Sequence, residues 1–124
     1  MEKLTNSTFK ECEENIRRHG RQLEKLRYEN RFRDGFEEKV AEEIKKYQNE
    51  DGGFGNGLEP DFRLPNSSPL ATSIALRYLK EIDTHLESQN MIESAVRYIE
   101  NCFDEERKGW FAVPKKVNKY PHTW

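Results

Sequence analysis

Four glycines fall within six residues, Gly52, Gly53, Gly55 and Gly57, and Pro60, Pro65 and Pro69 follow them. Neither a helix nor a strand tolerates that density of glycine and proline. Residues 49–69 therefore read as one long irregular loop, with helical periodicity before it and after it. A loop of that length inside a compact domain is uncommon, and such loops are usually functional or disordered.

Upstream, Phe9, Cys12, Ile16, His19, Leu23 and Leu26 recur in steps of three and four, which places them on one stripe of a helix. Thr8 and Glu11 have capping-box spacing, with Asn6 and Ser7 as competing caps. Gly20 inside this pattern costs about 1 kcal/mol relative to Ala. The helix is expected to run to Phe32, with a turn at Asp34-Gly35. A second, shorter helix carries Phe36, Val40, Ile44 and Tyr47 on one face. Downstream, Ser68 and Pro69 supply an N-cap and a first-turn proline for a third helix bearing Leu70, Ile74, Tyr78 and Ile82. A fourth helix, from about Asn90 to Phe103, buries Ile92, Ala95, Val96, Ile99 and Phe103. Gly109, Pro114 and Pro121 make the tail irregular. The expected fold is all-α, about four helices in two hairpins, within a single domain over residues 1–124.

Composition narrows the function classes. Hydrophobic residues make up 34% and charged residues 35%, against averages of about 45% and 25%, so the core is thin. Twenty-one Lys and Arg against 23 Asp and Glu give a net charge of −2, with no global field to draw nucleic acid or an anionic membrane. The charge is uneven: Ile16 to Arg33 holds seven basic and two acidic residues, and Asp34 to Asp61 holds nine acidic and three basic. An antiparallel pairing of the first two helices would set Arg17, Arg21 and Lys25 opposite Glu38, Glu42 and Glu43. That pairing cancels the field a phosphate needs, so nucleic acid is not an expected partner. No apolar run is long enough to span a membrane and the start has no leader pattern, so a cytoplasmic location is expected. Cys12 and Cys102 are too few for a disulfide scaffold or a cysteine zinc site, and His19, His85 and His122 lack ligand spacing. No metal or cofactor is expected.

The most informative stretch runs Tyr47-Gln48-Asn49-Glu50-Asp51-Gly52-Gly53-Phe54-Gly55. Gln48 can offer its amide to helix-end or loop backbone groups, and Asp51 can accept the N–H groups of the turn. Gly52 and Gly53 allow a tight reversal that folds Phe54 back onto the helix it has just left. The pattern resembles the glutamine-to-aromatic repeat of the squalene cyclase and protein prenyltransferase superfamily. A degraded second copy follows 56 residues later, where Gly109-Trp110-Phe111 stands in place of Gly53-Phe54-Gly55. The longer string from Gln48 to Ala71 resembles an uncharacterised bacterial branch of that superfamily. The resemblance implies helical hairpins of an α/α toroid, here incomplete, with hairpin repeats at about 8–58 and 68–114. It also implies an apolar, isoprenoid-like small molecule as ligand. The Asp-x-Asp-Asp acid motif of the class II cyclases is missing, so their particular reaction is not implied.

Two hairpins are about a third of a six-hairpin ring. Ile16, Leu23 and Leu26, with Tyr98, Phe103 and Trp110, would then leave apolar flanks uncovered, and Val117 to Trp124 include Tyr120, Pro121 and Trp124 with no polar stop. Self-association or missing downstream hairpins are the expected remedy. The best carboxylate pair is Glu59-Pro60-Asp61: proline holds Glu59 extended, so Glu59 and Asp61 point the same way. Such a pair can act as acid and base, or it can simply staple the loop through Arg63 or helix-end N–H groups. Phe54, Phe62, Tyr78 and Trp110 can line an apolar cavity or fill space between hairpins. Three function classes stay open: a toroid protein binding or acting on an apolar molecule, a carbohydrate-active α/α barrel using Glu59 and Asp61, and a helical interaction module without chemistry.

Overall fold

The computed structural model describes residues 3–82 and 85–123. Met1, Glu2, Asp83, Thr84 and Trp124 lie outside them, and with Trp124 goes part of the apolar chain end noted above. The chain is all-α. Among the described residues five α-helices span Asn6–His19 (α1), Gln22–Phe32 (α2), Glu37–Lys45 (α3), Pro69–Lys80 (α4) and Leu86–Asn101 (α5), and a short 3-10 helix spans Lys115–Lys119. Extended pairing among the described residues is confined to isolated bridges, Gln48 with Phe54, Phe62 with His122 and Asp104 with Gly109. Two compact units result, Met1–Glu43 and Ile44–Trp124.

In the first unit the expected long helix is two. α1 stops at Gly20, whose ψ of 146° leaves the helical region. The cap is Thr5 rather than Thr8: its Oγ1 accepts the Thr8 N–H at 3.2 Å. α2 opens where the Arg21 N–H donates to Glu24 Oε2 at 3.0 Å, so Gly20 marks a break instead of a tolerated defect. The two helices pack as a hairpin around Phe9, Tyr28 and Phe32, with ring centroids from 5.2 to 6.3 Å apart. Across it Glu13 accepts from Arg33 at 2.7 Å and Arg17 reaches Glu29 at 2.9 Å, while within α1 Glu13 also accepts from Arg17 at 2.9 Å. Hydrogen bonds from Arg33, then Arg17, hold the Glu13 carboxyl down to a pKa of about 2. The basic residues thus find acids inside their own hairpin: Arg17 takes Glu13 and Glu29, and Arg21 takes Glu24. Leu23 is buried, Ile16 and Leu26 are half-buried, and Cys12 lies exposed off the apolar stripe.

The second unit buries a contiguous set of apolar side chains: Ile44, Phe54, Leu58 and Leu64 from α3's end and the loop, Ile74 and Leu79 from α4, and Met91 and Ala95 from α5. α4 and α5 pack on each other. α4 begins at the Ser68 cap, whose Oγ accepts the Ala71 N–H at 3.1 Å, with Pro69 in the first turn. α5 begins at Leu86, four residues before the Asn90 that periodicity suggested.

Candidate functional site

The glycine loop is stitched to both helices of its unit. Gln48 Nε2 donates to the Gly52 carbonyl at 3.0 Å and to the Met91 carbonyl of α5 at 3.3 Å. Asp51 Oδ1 accepts the Gly53 N–H at 2.9 Å and the Ser67 hydroxyl at 2.7 Å. Gly52 sits at φ +85°, where a Cβ would also stand 2.6 Å from the Ser94 carbonyl oxygen of α5. At Gly53 a Cβ would come within 2.8 Å of the Tyr98 ring and 2.6 Å of Ser67 Cβ. Only bare backbone fits there, and its absence of side chain lets the loop lie directly on α5. Phe54 is fully buried; its N–H donates to Thr72 Oγ1 at 2.9 Å and its carbonyl accepts the Ser68 N–H at 3.0 Å. Each buried polar group of the turn is thereby paired, as the cost of an orphan requires.

The turn after α5 is built differently. Asp104 pairs with Gly109, and its Oδ1 accepts the Arg107 N–H at 2.7 Å. Trp110 Nε1 donates to the Ile99 carbonyl at 2.8 Å, capping the end of α5, and its ring meets Phe103 edge-on at 5.0 Å. A Cβ on Gly109 would touch nothing within 4 Å.

Next to Gly53, the Tyr98 ring forms one wall of a cleft of about 310 Å³. Tyr98 and Cys102 contribute from α5, and Ser67 and Pro69 from the start of α4. Phe111, Val113, Pro114 and Lys115 of the tail complete the lining. The tail is held there by the Leu70 N–H, which donates to the Ala112 carbonyl at 3.0 Å, and by buried Val117. Further on, the Arg63 N–H donates to Pro121 and the Thr123 N–H to Asp61, so the tail returns along the 59–63 loop. Burial pushes the Tyr98 pKa up, and Cys102 and the Asp51 charge act in the same direction. The phenol therefore stays neutral at ordinary pH. Ser67 is shared with a polar hollow of about 510 Å³ that Asn49, Glu50, Asp51 and Asn66 line.

Glu59 and Asp61 lie elsewhere. Both are half-buried, and Glu59 Oε1 accepts the Asp61 N–H at 3.2 Å, closing its own turn. The hollow beside Glu59 measures about 10 Å³, the room of roughly one water. No group of three or more His, Cys, Asp or Glu among the described residues is placed to hold a metal. Of the aromatics considered from sequence, Phe54 is core, Phe62 borders the small hollow, and Trp110 caps α5. Tyr98 and Phe111 line the cleft instead. Tyr98 and Cys102 stand four apart on one helical face, a legible pairing, but the tail residues that complete the wall carry no period.

Compared with protein-family models, with curated proteins and with solved structures, the chain matches none. No helix among the described residues is long and apolar enough to cross a membrane.

Proposed function

We propose that this chain binds a small apolar, isoprenoid-like molecule in the cleft between α5 and the tail. The observation that carries the reading is the cleft itself. Its volume of about 310 Å³ falls at the small end of the roughly 300–1,000 Å³ typical of ligand sites. Its walls are apolar, with the Tyr98 hydroxyl, Ser67 and Lys115 as the few polar groups that could orient a ligand. Kinship with the toroid superfamily belongs to the same proposal; what supports it is the Gln48-to-Phe54 turn, in which the glutamine amide ties the loop to α5. A cytoplasmic setting belongs to it too, supported by the two free thiols, Cys12 and Cys102, which suit a reducing compartment. Carboxylate-pair chemistry on a sugar has less behind it, because Glu59 serves its own turn and borders no cavity of useful size.

Titration with the neutral apolar fluorophore N-phenyl-1-naphthylamine tests the reading. Saturable binding, displaced by a C10 isoprenoid alcohol and weakened at least tenfold by Val113→Trp, is the expected result. Glu59→Gln with Asp61→Asn should leave that binding unchanged. Wild-type affinity in Val113→Trp, with a native circular dichroism spectrum, would contradict the proposal.

A further inference from the structure

The net charge of −2 conceals a pole. Residues 107–124 hold five of the chain's 21 Lys and Arg and none of its 23 Asp and Glu. Arg107, Lys108, Lys115, Lys116 and Lys119 are all exposed. Lys108 pairs with Glu105 at 2.9 Å, and the Arg107 guanidinium lies 4.7 Å over the Phe111 ring. Lys115, Lys116 and Lys119 enter no ion pair among the described residues. Between these cations stand exposed aromatics: Trp110 at 44% and Phe111 at 53%. Phe111 and Lys115 also line the cleft, so one unpaired lysine and one exposed ring of this segment border the apolar site.

We infer that this surface, residues 107–119, docks on an anionic lipid bilayer, from which the cleft takes its ligand. Exposed Trp and Phe lodge at the headgroup boundary, and unpaired lysines are drawn to anionic headgroups. An apolar ligand is stored in lipid rather than water, and a cleft bordered by Phe111 and Lys115 meets it there. A duplex nucleic acid would satisfy the same cations but offers no apolar layer for exposed Trp110 and Phe111 to enter. The entry of ligand rests on the cleft reading above; the docking does not.

Co-sedimentation of the full chain with vesicles tests it, comparing phosphatidylcholine alone with phosphatidylcholine containing phosphatidylserine, in about 0.15 M salt. Binding at least tenfold tighter to the anionic vesicles is expected. Lys116→Glu with Lys119→Glu, both outside the cleft, should weaken it at least roughly 25-fold, at about fivefold per cation. The same variant should keep fluorophore binding in solution. Equal binding to both vesicle types, or wild-type affinity in the double variant, would overturn the inference. So would tighter binding to duplex DNA than to anionic vesicles in the same buffer. Vesicle binding without fluorophore binding in solution would overturn the cleft reading and the ligand's entry, and leave the docking surface standing.

Discussion

After α3 the chain turns through Gly52 and Gly53 onto a fully buried Phe54, whereas after α5 it turns through Lys108 and Gly109 onto Trp110, which is 44% exposed. Both turns join a helix end to an aromatic through an acid-led reversal, three residues after Asp51 in the first and six after Asp104 in the second, and both are bridged. The first is fixed by what surrounds it: α5 leaves no room for a Cβ at Gly52 or Gly53, and Thr72 and Ser68 hold Phe54's main chain. The second is fixed by its own hydrogen bonds, Asp104 to Arg107 and Trp110 to Ile99. Similar sequence thus serves core closure in one place and a helix cap beside the cleft in the other. What decides is whether the turn meets a packed helix.

The aromatics should separate the two turns most. Phe54→Ala should cost about 3–5 kcal/mol in urea unfolding, as a fully buried ring does. Trp110→Ala loses one hydrogen bond and a half-exposed ring, for about 1–2 kcal/mol. Equal losses would erase the distinction. The glycines sharpen it. Gly53→Ala forces Ser67 or Tyr98 to shift and should cost about 1–3 kcal/mol, while Gly109→Ala should be neutral or stabilise by up to about 1 kcal/mol. A destabilised Gly109→Ala would show a constraint on the second turn that its open surroundings do not supply.

A third comparison isolates the first turn's polar anchor. Thr72→Val orphans the buried Phe54 N–H and should cost about 1–3 kcal/mol, with most of it restored in Thr72→Ser. The smallest effect belongs to the α1–α2 hairpin, which uses neither turn. Its Glu13 is ionised down to about pH 2, below the ordinary 4.5, because Arg33 and Arg17 bind the charged form. The unfolded chain takes the proton first as acid is added. That contribution is complete above about pH 4.5 and is lost as pH falls through about 2. Acid titration by NMR should show it, and Glu13→Gln should flatten the profile.

The helical class, the Ser68-Pro69 start of α4 and the burial of Val40, Ile44, Ile74 and Ala95 were legible, because apolar period and cap chemistry are local signals. The break at Gly20 was not. A glycine in a continuing apolar stripe looks the same whether the helix runs through it or folds back, and the choice was made by Glu13, Arg33 and the Phe9–Tyr28–Phe32 cluster, all non-local. The pairs Arg17–Glu13 and Arg21–Glu24 stand at i,i+4 and i,i+3 and are local signals too. The cleft was half-legible. Tyr98 and Cys102 share a face, but Phe111 to Lys115 reach it only because Leu70 binds the Ala112 carbonyl, a contact no periodicity announces. The cationic tail was visible in the sequence all along, masked by averaging charge over 124 residues.

The most direct test of the account is to map a C10 isoprenoid alcohol onto the protein by ¹⁵N and ¹³C chemical-shift perturbation and intermolecular nuclear Overhauser effects. Binding in the cleft predicts saturable shifts at Ser67, Tyr98, Cys102, Phe111 and Val113, with ligand contacts to the Tyr98 and Phe111 rings and none to Glu59 or Asp61. Contacts centred on Glu59 and Asp61, or small unsaturable shifts spread over exposed Leu4, Phe36 and Leu86, would contradict it.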